Sequence, residues 1–373
     1  MTDISSLPAI LSEKINSKDE FADGFFGSLE ETLSEYTADR FNWTIGYQGI
    51  TFCFSPYNIA PWISRSLDSL LAQTHPDLEI IVVDDGSSDN IREILSVYCE
   101  KHPNIRAVYK ENGGVTSARL RGVAEASGDW IGFMDGDDYV EPRMYARLLE
   151  NALAADAQIS HCGHQIRFSD GRIEYVHKSD KVRVQDKRTG LWELLDNREV
   201  SLSLCTKLYR RELFQGIEHW TDKTIRYNED LLMNYYLFSR AERSVFEGVC
   251  PYHYILRQDS ASCRGISENY IFDPIRVRQI LLQRCAPDMH EAVQQALIRN
   301  LLFNYAQLDV QKDRETFADF RKRVRNLLLE QQPYFHLLSL RNKVLANMVC
   351  KAPWMFRIAY GAYVAIFQRE EQH

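Results

Sequence analysis

LEIIVVDDGSSDN, residues 78–90, decides the fold of this chain. From Leu78 to Val83 the text is apolar save for Glu79. A strand with one wet face would alternate apolar and polar, so this run suits a strand covered on both sides, as in a parallel sheet. It stops at Asp84-Asp85-Gly86-Ser87-Ser88, and the helix that follows sets Ile91, Ile94, Leu95 and Tyr98 at i, i+3, i+4 and i+7. Upstream, ITFCF (50–54) is a second buried strand ending at Ser55-Pro56. A helix with Pro61 in its first turn then aligns Trp62, Ile63, Leu67, Leu70 and Leu71. Downstream come the strand IRAVY, a helix over Val115 to Ala126 and the strand Trp130 to Met134. This β-α-β-α-β-α-β order predicts a parallel sheet with right-handed crossovers. Ligands of such sheets sit beyond the carboxyl ends of the strands, where DDGSSD and DGDD both emerge, so one pocket receives both.

The rest of the 373 residues is read from that frame. Residues 1–47 are polar, acidic and helix-leaning, an N-terminal helical extension. Residues 48–265 form the α/β domain, with mixed strand and helix after 150. Residues 266–373 carry helical periodicity, as in Ile280, Leu281, Val293, Leu297 and Leu301. A formal charge of −8 argues against a nucleic-acid partner, although Arg321, Lys322, Arg323 and Arg325 make a local basic face. The eight cysteines form no Cys-x-x-Cys pair, which excludes a zinc-ribbon type of site and suits small buried residues. The start MTDISSLPAILSEK has no basic, apolar leader, and no segment reaches the ~18 apolar residues of a membrane span, which places the chain in the cytoplasm.

Three acidic segments carry candidate chemistry. Asp135-Gly136-Asp137-Asp138 puts three carboxylates in four positions at a strand end. Hard oxygen ligands of that density suit Mg²⁺ or Mn²⁺ held together with substrate phosphates, and also an ordinary solvated turn. Asp84 and Asp85 can accept hydrogen bonds from a nucleobase or cap the next helix. Asn228-Glu229-Asp230 opens the helix LLMNYYLF, with Asn228 as a cap and the two acids in the first turn, a setting for a general base or for structural acids. In YHYILRQDSAS, Arg257 and Ser260 offer a cation and a hydroxyl to phosphate oxygens, and His253 reads as a core histidine.

These blocks, SPYNIAPWISRSLDSLLAQTHPDLEIIVVDDGSSDN, ENGGVTSARLRGVAEASGDWIGFMDGDDYVEP, CTKLYRRELF, NEDLLMNYYLFSRA and PYHYILRQDSAS, resemble in order and spacing the family-2 glycosyltransferases, mostly bacterial enzymes that build surface polysaccharides. The resemblance spans residues 48–265. It implies a GT-A (Rossmann-like) fold, a mixed and mostly parallel sheet flanked by helices with a helical C-terminal region. It further implies transfer of a sugar from a nucleotide diphosphate, a UDP-sugar, to a glycan or lipid-linked hydroxyl with inversion. Pro56, Tyr57, Asn58 and Asp85 would hold the base, Arg119 would order the donor site, and Asp135 and Asp137 would contact ribose and diphosphate. Asp137 and Asp138 would hold Mn²⁺ or Mg²⁺, Asp230 beside Glu229 would be the base, and Arg257 and Ser260 would close on the diphosphate. Two departures stand out: Ser55-Pro56-Tyr57-Asn58 replaces Pro-Thr-Tyr-Asn, and Gly136 replaces a serine. No Gln-x-x-Arg-Trp block of the processive synthases is present.

Two other functions fit the fold class. A sugar nucleotidyltransferase would need a glycine-rich triphosphate loop, and SPYNIAPW has no glycine. A non-catalytic nucleotide-sugar-binding scaffold would have no use for Asp137, Asp138 and Asp230. At the C-terminus, WMFRIAYGAYVAIF (354–367) is apolar with Arg357 its single charge. Fourteen residues are too few to cross a bilayer, so the segment is a core helix, a homo-oligomer contact or a peripheral anchor at the inner face of the membrane.

Overall fold

The computed structural model describes residues 49–197, 199–257, 265–311 and 315–370, with side chains described as far as 361 in the last helix. The extension expected over 1–47, and Ser260, lie outside these residues.

Four parallel strands, β1 (Ile50–Phe54), β2 (Leu78–Asp84), β3 (Ile105–Tyr109) and β4 (Trp130–Met134), stand in the order β3-β2-β1-β4. The crossovers α1 (Ala60–Leu71), α2 (Ile91–Lys101) and α3 (Val115–Glu125) join them, as the apolar runs predict. The double burial of β2 is real. Ile80 and Val82 enter the main core, while Ile81 and Val83 pack with Ala118 of α3 on the other face. Register fixes where the loops emerge: Phe54 pairs with both Val82 and Met134, so the segments after β1, β2 and β4 leave the sheet at one edge.

Beyond β4 the sheet changes character. It continues β4-β9-β6-β10-β5, where β5 is Tyr139–Val140, β6 Ile159–Phe168, β9 Lys207–Arg210 and β10 Arg243–Leu256, while β7 (Ile173–Val176) pairs with β6 and β8 (Val182–Asp186) with β10. β9 runs antiparallel to both β4 and β6. The 14-residue β10 shifts register on β6 between Glu247 and Tyr252. Bulges bend a strand and re-aim its side chains. Past this one β10 pairs with β5, Tyr252 opposite Val140 and His253 opposite Tyr139, which brings its end over the acidic turn that follows β4.

The C-terminal region is helical, as expected: α7 (Glu268–Arg284), α8 (His290–Asp309), α9 (Ala318–Glu330), α10 (Leu340–Lys351) and α11 (Pro353–Glu370), numbered after α4 (Met144–Ala154), α5 (Lys187–Asp196) and α6 (Glu229–Arg240). These helices share a second core around Leu301, Leu308, Val324 and Val349. Among the described residues no helix is long and apolar enough to cross a membrane. The seven described cysteines are free thiols, five of them buried.

Candidate active site

The loop after β1 and the turn after β2 are stitched together. The Asp85 amide donates to Pro56 O (3.3 Å), the Asn58 amide to Ser87 Oγ (3.0 Å), and Ser88 N–H to Asn58 Oδ1 (2.8 Å). Asn58 has a left-handed backbone (φ 53°) that asparagine tolerates, and Gly86 (φ 77°) has no space for a Cβ, which would lie 2.7 Å from the Asn112 amide. Tyr57, beside this junction in the sequence, is half exposed.

The carboxylates here are already engaged by the protein. Asp84, buried, accepts from Ser87 N–H (2.9 Å) and Arg92 Nε (3.1 Å). Asp85 accepts from the amides of Gly113 (2.9 Å) and Gly114 (2.8 Å) and pairs with Lys110. Each oxygen retains acceptor capacity, but Asp85 is only 4% exposed. Gly86 and Lys110 border a cleft of about 460 Å³ with Arg92, Tyr109, Glu111 and Asn112.

The turn after β4 is built differently. α1 clamps its backbone: Arg65 donates to Asp137 O (2.6 Å), and Ser66 Oγ to Gly136 O (3.0 Å) and Asp138 O (2.5 Å). A Cβ on Gly136 would lie 1.9 Å from Ile59 Cδ1, so the serine usual at this position would force Ile59 to move. The three carboxylates then part company. Asp138 is fully buried and accepts from Tyr252 OH (2.6 Å) and the Ile255 amide (2.9 Å). Burial, reinforced by Asp135 and Asp137, pushes its pKa well up against those two hydrogen bonds. Asp137 instead meets Arg257 (2.7 Å), whose guanidinium lies 3.7 Å from the centre of the Trp62 ring. Asp138 anchors β10, and by doing so sets Arg257 opposite Asp137; an ion shared by Asp137 and Asp138, as expected from the sequence, would have to take Asp138 from Tyr252 and the Ile255 amide. Among the described residues no group of three or more acidic, histidine or cysteine side chains makes a metal cage.

Arg119 joins the far ends of the sequence. Almost completely buried, its guanidinium meets Asp135 (3.2 Å), Glu229 (3.2 Å) and Asp230. Burial disfavours its charge, yet Asp230, Asp135 and Glu229 together hold it protonated well beyond the usual arginine range. Glu229 is pushed up to about 8, first by burial and then by Asp230, with Arg119 opposing. A titrating acid beside a buried arginine and two further carboxylates is the environment that tunes active-site groups. Asp230 also accepts from the Leu204 amide (3.3 Å). That loop is shaped by Lys207, fully buried, which donates to Ser201 O (2.6 Å) and Ser203 O (2.5 Å) and is pushed down to about 7 by burial. Asn228 does not cap α6 with its side chain as expected; it adopts φ 64° and its Oδ1 accepts from Arg278 (2.9 Å).

Of the residues singled out in the sequence, Asp135, Asp137, Arg119, Glu229, Asp230 and Arg257 converge through these ion pairs, and Pro56, Asn58 and Asp85 form the loop junction that includes Tyr57. His253 is a satisfied core residue: Nδ1 accepts from Arg167 (2.7 Å), and the ring stacks on Tyr139 (4.3 Å). Sequence reading passed over Arg65, Ser66, Tyr252 and Lys207. Lys207 carried no signal of its burial, since it opens a short strand that also holds Arg210.

Residues 52–217 match the family model described as Glycosyl transferase family 2. The chain is 31% identical over 318 residues to the uncharacterized glycosyltransferase EpsJ of Bacillus subtilis, covering 79% of this chain and 90% of that protein. It is 28% identical over 244 residues to the succinoglycan biosynthesis protein ExoO of Rhizobium meliloti, covering 64% and 69%. Among solved structures, S. aureus TarS 1-349 in complex with UDP-GlcNAc shares the fold, with a TM-score of 0.67 at 18% identity over 84% of this chain and 91% of that one. An acid-lined sheet edge, a GT-A neighbour and a relative matched along nine-tenths of its length converge on one conclusion: the chain belongs to glycosyltransferase family 2 and is a glycosyltransferase.

Proposed function

We propose that the enzyme moves a sugar from a UDP-sugar to a hydroxyl of a glycan or lipid-linked acceptor, inverting the anomeric carbon, in the synthesis of cell-surface polysaccharide. One observation carries this reading: a single guanidinium, Arg119, holds Asp135 from the donor-side turn together with Glu229 and Asp230 from α6. A carboxylate beside the donor and a carboxylate able to take the acceptor's proton thus lie within one side chain's span. Succinoglycan biosynthesis by ExoO and the complex of TarS with UDP-GlcNAc support the donor and pathway class. We take residues 48–265 as the catalytic unit and 266–373 as its helical appendage.

In this scheme Tyr57 covers the base, with Pro56, Asn58 and Asp85 forming its floor. The acceptor oxygen attacks the anomeric carbon in line as the bond to the diphosphate oxygen breaks, and its proton passes to Asp230, which Arg119 and the Leu204 amide orient. Arg257 leaves Asp137 for the diphosphate, and Ser260, three positions on in the sequence, is the hydroxyl proposed to join it. The residues fit a divalent cation only as part of its shell: Asp137 presents a carboxylate now held by one displaceable cation, and Asp135 is partly exposed beside it. Mn²⁺ or Mg²⁺ bound there with the donor phosphates would supply positive charge to the departing diphosphate.

The test is a screen of UDP-, GDP- and dTDP-sugars read by released nucleotide, with and without Mn²⁺, and by the anomeric configuration of the product. Metal-stimulated UDP release with an inverted product is expected. A chain that binds nucleotide yet turns over none of these donors would be a scaffold, and the proposal would fall.

A further inference from the structure

The two last helices present an outer surface that the catalytic reading does not use. In α10, Ala346, Val349 and Cys350 are buried while Leu340 is 80% exposed and Val344 44%. In α11, Phe356 is buried against Tyr305, and Trp354 (64% exposed), Met355 (42%) and Ile358 (64%) face outward. Helical spacing puts Leu340, Val344 and Lys351 on one side of α10, and Trp354, Ile358 and Gly361 on one side of α11, opposite the buried residues. Of the alternatives for this segment, a plain core helix is therefore excluded for Trp354, Met355 and Ile358.

Charge is segregated in the same place. The chain has 52 acidic residues, yet residues 331–369 contain no Asp or Glu, while Arg341, Lys343, Lys351, Arg357 and Arg369 all fall there. Lys343, Lys351 and Arg357 are exposed among the apolar side chains. The surface is held by the body of the helical region: Arg325 of α9 donates to Val349 O (3.0 Å) and Cys350 O (2.5 Å), pinning the corner between α10 and α11.

We propose that the outer faces of α10 and α11 dock on an anionic lipid bilayer, with Trp354, Met355 and Ile358 in the headgroup boundary and Lys343, Lys351 and Arg357 on acidic headgroups. A tryptophan and aliphatic side chains flanked by cations are what an interfacial helix uses. A second copy is the poorer occupant. A two-fold contact sets the same patch against itself, and here like charges would oppose one another with no acid within residues 331–369 to relieve them. The proposal is independent of the donor and base assignments above.

Co-sedimentation of the full chain with phosphatidylcholine vesicles, with and without about a third phosphatidylglycerol, tests it. Binding is expected only to the anionic vesicles, weakening as salt rises from about 0.1 M to about 0.5 M. Reversal or loss of each of Lys343, Lys351 and Arg357 should lower partitioning roughly fivefold. Trp354→Ser with Ile358→Ser should lower it at least about tenfold, with an unchanged melting temperature because both side chains already face out. Absence of binding to either vesicle would overturn the proposal, as would vesicle binding that the Trp354→Ser, Ile358→Ser variant retains in full. Light scattering that shows a dimer abolished by that variant, without vesicle binding, would assign the surface to a second copy instead.

Discussion

Two acidic turns close two parallel strands at the same edge of one sheet, and they have opposite fates. After β2, Asp84 and Asp85 are held mainly by backbone amides, those of Ser87, Gly113 and Gly114, which no ligand can displace without dismantling the loops. After β4, Asp135 and Asp137 are held by side-chain guanidinium groups, Arg119 and Arg257, and only Asp138 is given over to the frame. Carboxylates anchored by backbone amides, as Asp84 and Asp85 are besides their pairs with Arg92 and Lys110, fix architecture; carboxylates met by guanidinium groups can exchange that partner for the charge of a ligand.

The largest effect is expected at the acceptor side of this contrast. Asp230→Asn should lower kcat about 10³-fold and leave nucleotide affinity within about twofold, since it removes a proton acceptor and no donor contact. Calorimetric loss of donor binding in that variant would overturn the assignment. Next comes Arg119→Met, which strands three carboxylates around an apolar side chain and should destabilise the fold by about 3 kcal/mol in chemical denaturation. A variant as stable as the parent would mean that the convergence at Arg119 is incidental.

Glu229→Gln should act through pH. With a folded-state pKa near 8 against an ordinary value near 4.5, the folded state holds a proton that the unfolded state has lost between those limits, so stability falls as pH rises through that window. The amide removes this dependence, and at pH 8.5 the variant should exceed the parent by on the order of 2 kcal/mol, the difference vanishing near pH 4. Thermal melts across pH decide it; parallel curves would place Glu229 in an ordinary environment.

The smallest effects sharpen the comparison of the turns directly. Asp137→Ala should weaken Mn²⁺-dependent donor binding about tenfold at nearly parental stability. Asp84→Asn should do the reverse, costing about 1 kcal/mol of stability through its buried hydrogen bonds while donor affinity stays within about twofold. Equal behaviour of the two variants would erase the distinction between frame and site.

The parallel half of the sheet was legible because each of its strands is an apolar run covered by helices, a pattern local in the sequence. The mixed continuation, in which β9 runs antiparallel to β4 and β6 while β10 runs parallel to β6, was not, because its order depends on pairings between residues scores of positions apart, and on a register shift between Glu247 and Tyr252 with no periodic signature. The residues of the site could be named in advance only through the family resemblance, because Asp and Glu at strand ends and helix starts serve equally well in turns and caps. Which partners each meets was decided only by folding. Asp137 and Asp138 are adjacent in a turn and chemically identical, and one faces an arginine while the other faces Tyr252, because successive side chains of a turn diverge and only the tertiary neighbours decide which meets solvent and which meets β10. Sequence determines which groups are present and which elements carry them; the environment that sets their charge, partners and reach exists only once distant segments have packed together.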